Sequence, residues 1–68
     1  MIEIIVRNGR IRGFVVSVSR SYEPEKGIVE IERRDEFTYE CIGEGSIIFN
    51  DAKDVEIVEA NCEYEIKK

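Results

Sequence analysis

The sequence predicts a small all-β fold, a strongly bent barrel of five to seven short strands. Apolar residues recur at every second position over several stretches, which is the period of a half-buried strand, and turn-forming residues separate these stretches. The sequence lacks a stretch with the 3.6-residue apolar period of a long helix. Because an open sheet of this size would leave two long unpaired edges, we expect the sheet to close on itself.

The first predicted element is a hairpin over Ile4–Val18, turned at Asn8-Gly9. Asparagine and glycine tolerate the positive φ angles of a two-residue type I′ turn, and apolar runs flank the pair on both sides. Gly13 lies inside the second strand of this hairpin, where a glycine commonly marks a bulge or bend. A bend at Gly13 would let Ile11 and Phe14 both face the core.

The rest of the chain is predicted to alternate short strands with polar turns. Residues 20–27 contain the only proline, flanked by glutamates, which is typical of an exposed loop. The later elements are a strand over 28–33, a hairpin over 37–49 turned at 43–45, a loop or single helical turn over 50–54, and two closing strands over 55–57 and 62–66. The inward positions predict a core of Phe14, Val16, Val29, Ile31, Phe37, Tyr39, Val55, Ile57 and Tyr64.

The length of 68 residues predicts one domain, residues 1–68, with a single thin core layer. The outward apolar residues Ile5, Ile28 and Ile42 would leave surface for a partner strand to cover, so we expect a homo-oligomer, a dimer or higher. The sequence has no run near the roughly 20 apolar residues that cross a bilayer, so we expect a cytoplasmic protein without membrane association. A charged composition without histidine is compatible with a thermophilic source.

The inventory of reactive residues predicts a protein that is not an enzyme. The sequence has no histidine and no identifiable base partner for its serines. Cys41 and Cys62 are too few and too far apart for a zinc site, so we expect neither a metal nor a cofactor. The two cysteines are predicted to be buried free thiols, with a disulfide as the alternative because both fall on the face assigned to the core. A barrel this small is filled by side chains, which leaves no catalytic cleft.

The order of these features resembles a known family. Asn8-Gly9-Arg10, the glycine at Gly13, the strands over 28–32 and 46–49 and the closing strand over 55–57 are similar to the bent five-strand barrel of Sm-like proteins. The resemblance covers roughly residues 4–59. It implies a barrel that forms rings by strand-edge pairing and binds RNA through loop residues. The family's Asp-x-x-x-Asn and Arg-Gly pairs are not matched here, so the resemblance assigns no RNA-binding residue.

Charge is distributed unevenly along the chain. Residues 1–26 carry five basic and three acidic side chains, a formal charge of +2, whereas residues 27–68 carry five basic and twelve acidic side chains, a formal charge of −7. Arginine guanidinium groups suit the recognition of carboxylates or phosphates. The candidate binding residues therefore come from the predicted hairpin tip and the loop that follows it: Arg7, Arg10, Arg12, Arg20 and Tyr22.

Two functions are compatible with this pattern. The first is a protein-interaction or self-assembly module that uses an exposed strand edge and oppositely charged surfaces. The second is a barrel that binds RNA or single-stranded nucleic acid through the arginine tip. A net charge of −5 disfavours the second, because affinity for nucleic acid comes largely from phosphate neutralisation. In a third, purely structural interpretation, the arginines pair with neighbouring acidic strands of the same chain.

Overall fold

Five antiparallel β-strands form a single sheet in the computed structural model. The structure describes residues 1–17, 22–32 and 35–68, without the side chains of Ser17 and of residues 22–26. The strands are β1 (Ile2–Ser17), β2 (Tyr22–Ile31), β3 (Glu36–Phe49), β4 (Ala52–Ala60) and β5 (Glu63–Lys67). The prediction of an all-β fold is confirmed.

The strand order is β2-β3-β1-β4, and β5 pairs with the N-terminal half of β1. Over the described residues this sheet is not closed into a barrel, so the predicted closure is not reproduced. Strands β1, β3 and β4 nevertheless supply the buried residues of one core, against which Val29 and Ile31 of β2 and Ile66 of β5 pack.

β1 continues through the predicted first turn. Asn8 has a φ angle of 49°, as its turn signal suggests, but it forms a bulge: the β1–β3 register shifts between Arg7 and Gly9. Before the bulge β1 lies between β3 and β5, and after it between β3 and β4. Because neighbours on both sides hold each half extended, β1 does not reverse, and the predicted hairpin over Ile4–Val18 is wrong.

β3 likewise continues through the predicted second turn. Gly43 has a φ angle of 84°, and its N–H donates to Oδ1 of Asn8 at 2.7 Å. Asn8 and Gly43, which are predicted to form two separate turns, therefore lie opposite each other and form one bulge in the β1–β3 ladder. The predicted hairpin over 37–49 is wrong, because the glycine's conformational freedom is used for a bulge within an unbroken strand.

The predicted loop over 20–27 is largely strand, because β2 begins at Tyr22. Its backbone pairs with β3 from Tyr22 opposite Phe49 onwards, and Pro24 lies opposite Ile47. β2 is an edge strand, where a residue without an N–H is tolerated. Of the predicted loop or helical turn over 50–54, the structure has a two-residue turn at Asn50 and Asp51, and β4 already begins at Ala52.

The bulge at Asn8 decides which residues of β1 face inward. Val6 and Ile11 are both fully buried although they differ in parity, and Val15 follows Ile11 on the buried face. The predicted bend at Gly13 is instead a register shift in its pairing with β4, where the carbonyl oxygen of Glu56 leaves no room for a Cβ. The core consists of Ile2, Ile4, Val6, Ile11, Val15, Phe37, Tyr39, Cys41, Ile47, Phe49, Ala52 and Val55.

Three of the nine predicted core residues are wrong. Phe14 and Val16 face outward, 38% and 53% exposed, because the bulge reverses the parity assigned to them. Tyr64 is 41% exposed, since β5 is an edge strand that packs beside β1 alone. The other six are confirmed as buried or as packed against the buried cluster: Phe37, Tyr39, Val55, Val29, Ile31 and Ile57.

Candidate interaction surface

Arg7, Arg10 and Arg12 form a row along the outer face of β1, the face opposite the core. The bulge at Asn8 follows Arg7, and strict alternation after it exposes Arg10 and Arg12. All three residues are exposed. The sequence predicts that they flank the tip of a hairpin, whereas the structure places them along one unbroken strand in the middle of the sheet. We call these three residues the arginine row.

Acidic residues flank the arginine row on both neighbouring strands. Arg7 lies between Glu44 of β3 and Glu63 of β5 in the two registers. Its Nε donates to Oε2 of Glu44 at 2.7 Å, and both side chains are partly exposed. This hydrogen bond and the charge of Glu44 raise the pKa of Arg7, and the charges of Glu65 and Glu63 act in the same direction. Arg7 thus has its counter-charges within its own sheet.

Arg12 is bound to a more buried partner. Its Nε donates to Oε1 of Glu36 at 2.6 Å, and only 11% of the Glu36 side chain is exposed. The hydrogen bond to Glu36, followed by the charge of Glu36, raises the pKa of Arg12, and Glu32 and Glu59 contribute in the same direction. Oε1 of Glu32 also accepts a hydrogen bond from Thr38 at 3.3 Å. Arg12 therefore balances the negative charge of the nearly buried Glu36 carboxylate.

Arg10 contributes mainly through its backbone. Its N–H donates to Oδ1 of Asn61 at 2.7 Å, and its carbonyl oxygen accepts from the N–H of Asn61 at 3.2 Å, which fastens the β4–β5 turn to β1. Its side chain is exposed and, with Arg12 and Glu59, lines a polar groove of about 220 Å³. Among the described residues, Arg10 forms no ion pair.

Among the described side chains of β2 and β3, two exposed isoleucines line one groove on the outer face. Ile28 is 70% exposed and Ile42 is 90% exposed, and with Gly27 and Glu40 they line a shallow groove of about 490 Å³. We call these two isoleucines the Ile28–Ile42 patch. It lies where the β2–β3 register shifts, between Glu25 and Gly27. Their predicted outward orientation is confirmed, whereas Ile5 is half-buried.

The other two predicted site residues are Arg20 and Tyr22. Arg20 lies outside the described residues. The backbone of Tyr22 pairs in β2, and its side chain lies outside the described part. Conversely, sequence reasoning missed Phe14 and Val16 as outer-face apolar residues. The signal that would have found them is the asparagine at position 8, if it is interpreted as a bulge and not as a turn.

Neither a cluster of metal ligands nor a membrane-crossing helix occurs among the described residues. Across 1–17, 22–32 and 35–68, no three cysteine, aspartate or glutamate side chains gather as a metal site would require. The same ranges contain no helix long and apolar enough to cross a bilayer. Cys41 and Cys62 are not joined in a disulfide, and Cys41 is buried whereas Cys62 is half-buried.

Comparison with known proteins identified no relative: no family model, no curated protein and no solved structure matches this chain.

Proposed function

We propose that this protein is a non-enzymatic interaction module whose partner is a second copy of itself, bound through the edge of β2 and the Ile28–Ile42 patch. The observation that carries the proposal is the position of this patch beside an edge strand. β2 pairs with β3 on one side, and the described residues place no strand on its other side. Unpaired backbone groups on such an edge are a template for another strand.

The patch supplies the apolar contact that backbone pairing alone would lack. Two large side chains at 70% and 90% exposure lie next to each other on a small domain that buries only a thin core. Covering apolar surface of this kind contributes roughly 25 cal/mol for each Å² removed from water. A partner strand that pairs with β2 would place its own side chains beside Ile28, because Ile28 lies on the edge strand.

A two-fold arrangement fits the sequence of β2. If two β2 edges pair antiparallel about Ile28, the register sets Lys26 of one copy opposite Glu30 of the other, which matches residues of opposite formal charge twice. This self-complementarity is the reason for choosing a second copy over an unrelated protein. The assembly would be a dimer, and the β3–β2–β2–β3 order would continue the sheet across the two-fold axis.

Binding of nucleic acid receives less support from the geometry. Arg7 and Arg12, two of the three residues of the arginine row, are paired with Glu44 and Glu36. A phosphate would have to displace these carboxylates in a protein of net charge −5. The resemblance to Sm-like proteins, with its ring assembly and RNA binding, stays a prediction.

The test is the mass of the protein in solution. Ile28→Glu and Ile42→Glu place charges on the patch, and Val58→Glu, at a 53% exposed position of β4, is the matched control. At tens of micromolar, light scattering should give a dimer mass for the wild type and for Val58→Glu. It should give a monomer mass for the two patch variants, with unchanged far-UV circular dichroism. A monomeric wild type would contradict the proposal.

A further inference from the structure

Gly9 lies between the two cysteines of the chain. In the β1–β3 ladder Gly9 is directly opposite Cys41. Directly opposed residues in an antiparallel pair present the same face, with Cβ atoms about 4.5–5.5 Å apart. The Cys41 side chain is part of the buried core. It therefore lies next to the space that a side chain on Gly9 would occupy on the same face.

Cys62 occupies this space from the other side. A Cβ added to Gly9 would collide with the Cβ of Cys62 and would lie 3.0 Å from its Sγ. The sulfur of Cys62 therefore stands where a side chain at position 9 would stand, facing Cys41 across the strand. Only a glycine at position 9 allows this approach, since any side chain would exclude the thiol.

The surroundings of the two thiols also indicate proximity. Cys62 packs against the cluster that contains Cys41. Burial raises the pKa of Cys62, the Arg7 backbone lowers it, and the negative charge of a Cys41 thiolate raises it further. The Cys62 thiol donates a long hydrogen bond to the carbonyl oxygen of Arg10, with an Sγ–O distance of 4.0 Å. Losing this contact on oxidation would remove little stability.

We propose that Cys41 and Cys62 form a disulfide under oxidising conditions, and that this bond locks the junction at which β1 changes its pairing partner from β5 to β4. A disulfide requires 3.5–4.5 Å between its Cβ atoms, and the proposal rests on both cysteines bordering the same space beside Gly9. The bond would join β3 to the β4–β5 turn across β1. Three strands would then be held together at the bulge.

Oxidised glutathione is a sufficient oxidant for this reaction. The half-buried Cys62 thiolate attacks one sulfur of oxidised glutathione, which forms a mixed disulfide and releases one reduced glutathione. The Cys41 thiolate then attacks Sγ of Cys62 and releases the second. Two electrons pass from the two cysteines to glutathione, and two thiol protons are lost. Because the pKa of Cys62 is raised, its thiolate is scarce at neutral pH, and the first step should be faster near pH 9.

The experiment compares the native protein with the same protein in concentrated urea. Each sample is equilibrated with glutathione buffers of graded ratio, quenched with acid, alkylated and weighed by mass spectrometry. The native chain should reach the unalkylated closed form at a ratio of oxidised to reduced glutathione about a hundredfold lower than in urea. The oxidised protein should also unfold at a temperature about 10 to 20 °C above that of the reduced protein.

Two variants identify the sulfurs. Cys41→Ala should retain a glutathione adduct on Cys62, because the resolving thiol is missing. Cys62→Ala should leave the buried Cys41 unmodified. Should either variant fail to fold, the comparison of native and urea-treated wild type still decides the question. Equal closure in both solvents, a lasting glutathione adduct on the wild type, or an unfolding temperature that does not rise would each overturn the proposal.

Discussion

The two faces of the same sheet are built from different interactions. On the inner face, Phe37 is fully buried and its ring meets that of Phe49 edge to face, with centroids 5.0 Å apart and an interplanar angle of 62°. On the outer face, charged side chains form ion pairs such as that of Arg7 with Glu44, whose side chains are 45% and 65% exposed. Buried apolar contacts stabilise a fold strongly, whereas exposed ion pairs contribute little.

This difference separates stability from recognition. The inner face holds the fold, so its residues cannot change without loss of stability. The outer face contributes little to the fold, and it also carries the exposed apolar side chains of Ile28 and Ile42. We therefore expect substitutions of equal size to have large effects on stability on the inner face and small effects on the outer face.

The largest expected effect is the loss of stability on truncation of a buried phenylalanine, and comparison with an exposed phenylalanine tests the contrast between the two faces. Phe37→Ala should lower the free energy of unfolding by about 3 to 5 kcal/mol, because it empties a fully buried site, and so small a domain could unfold entirely. Phe14→Ala, the matched control on the outer face, should lower it by about 1 kcal/mol or less. Urea unfolding followed by circular dichroism measures both. Equal losses would break the distinction between the faces.

A smaller effect is expected from the arginine row. Replacing Arg7, Arg10 and Arg12 together with alanine should leave the fold intact, with a loss of stability smaller than that of Phe37→Ala and due mainly to the unpaired Glu36. The same triple variant separates the two candidate functions. We expect single-stranded RNA to be retained on a filter by neither the wild type nor the variant.

Retention by the wild type alone would reverse the preference for a protein partner. In that case the affinity should fall with salt at a log-log slope of about −2 to −3, which corresponds to three phosphate contacts.

The smallest expected effect on stability comes from Asp54 of β4, which binds the C-terminal residue Lys68. Nζ of Lys68 binds Oδ1 of Asp54 at 2.9 Å, and the N–H of Val55 donates to the same oxygen at 2.8 Å. The hydrogen bond from Lys68, then that from Val55, lowers the pKa of Asp54 below its ordinary value. A carboxylate whose pKa is lowered by folding stabilises the fold above its unfolded pKa, and this contribution is lost as the pH falls through the folded pKa.

Comparison of the wild type with Asp54→Asn measures this contribution. The wild type should unfold at a slightly higher urea concentration at pH 7, and the difference should disappear as the pH falls below about 4. Lys68→Ala is a useful companion, since it removes the first of the two hydrogen bonds and leaves the second. A difference between wild type and Asp54→Asn that persists unchanged at pH 2 would show that charge is not its cause.

Much of the fold follows from local patterns in the sequence. Alternation along 28–31 and 37–41 predicts strands and correctly assigns Val29, Phe37 and Tyr39 to the inner side, because successive side chains of a strand point to opposite faces. The same rule does not by itself place the arginine row on one surface, because Arg7 and Arg10 differ in parity and share a face only through the bulge at Asn8. The positive φ angle at Asn8 is also a local property, since asparagine tolerates the left-handed region.

The tertiary structure alone decides what a local irregularity becomes. A residue with positive φ serves a turn or a bulge equally well, and the choice depends on which strands are available on each side. Here β3 on one side and β5 followed by β4 on the other keep β1 extended, so Asn8 and Gly43 form a bulge. That choice shifts Phe14 and Val16 to the surface, and the asparagine at position 8 does not reveal it by itself because it suits a turn equally well.

The partners of the outer-face charges are decided in the same way. Arg7 and Glu44 are 37 residues apart in the sequence, and Arg12 and Glu36 are 24 apart. The sequence by itself determined that arginines and glutamates alternate outward along their strands. Only the register between β1 and β3 determined which of them meet, because a strand's side-chain period specifies a face and leaves the pairing to the long-range contacts of the sheet.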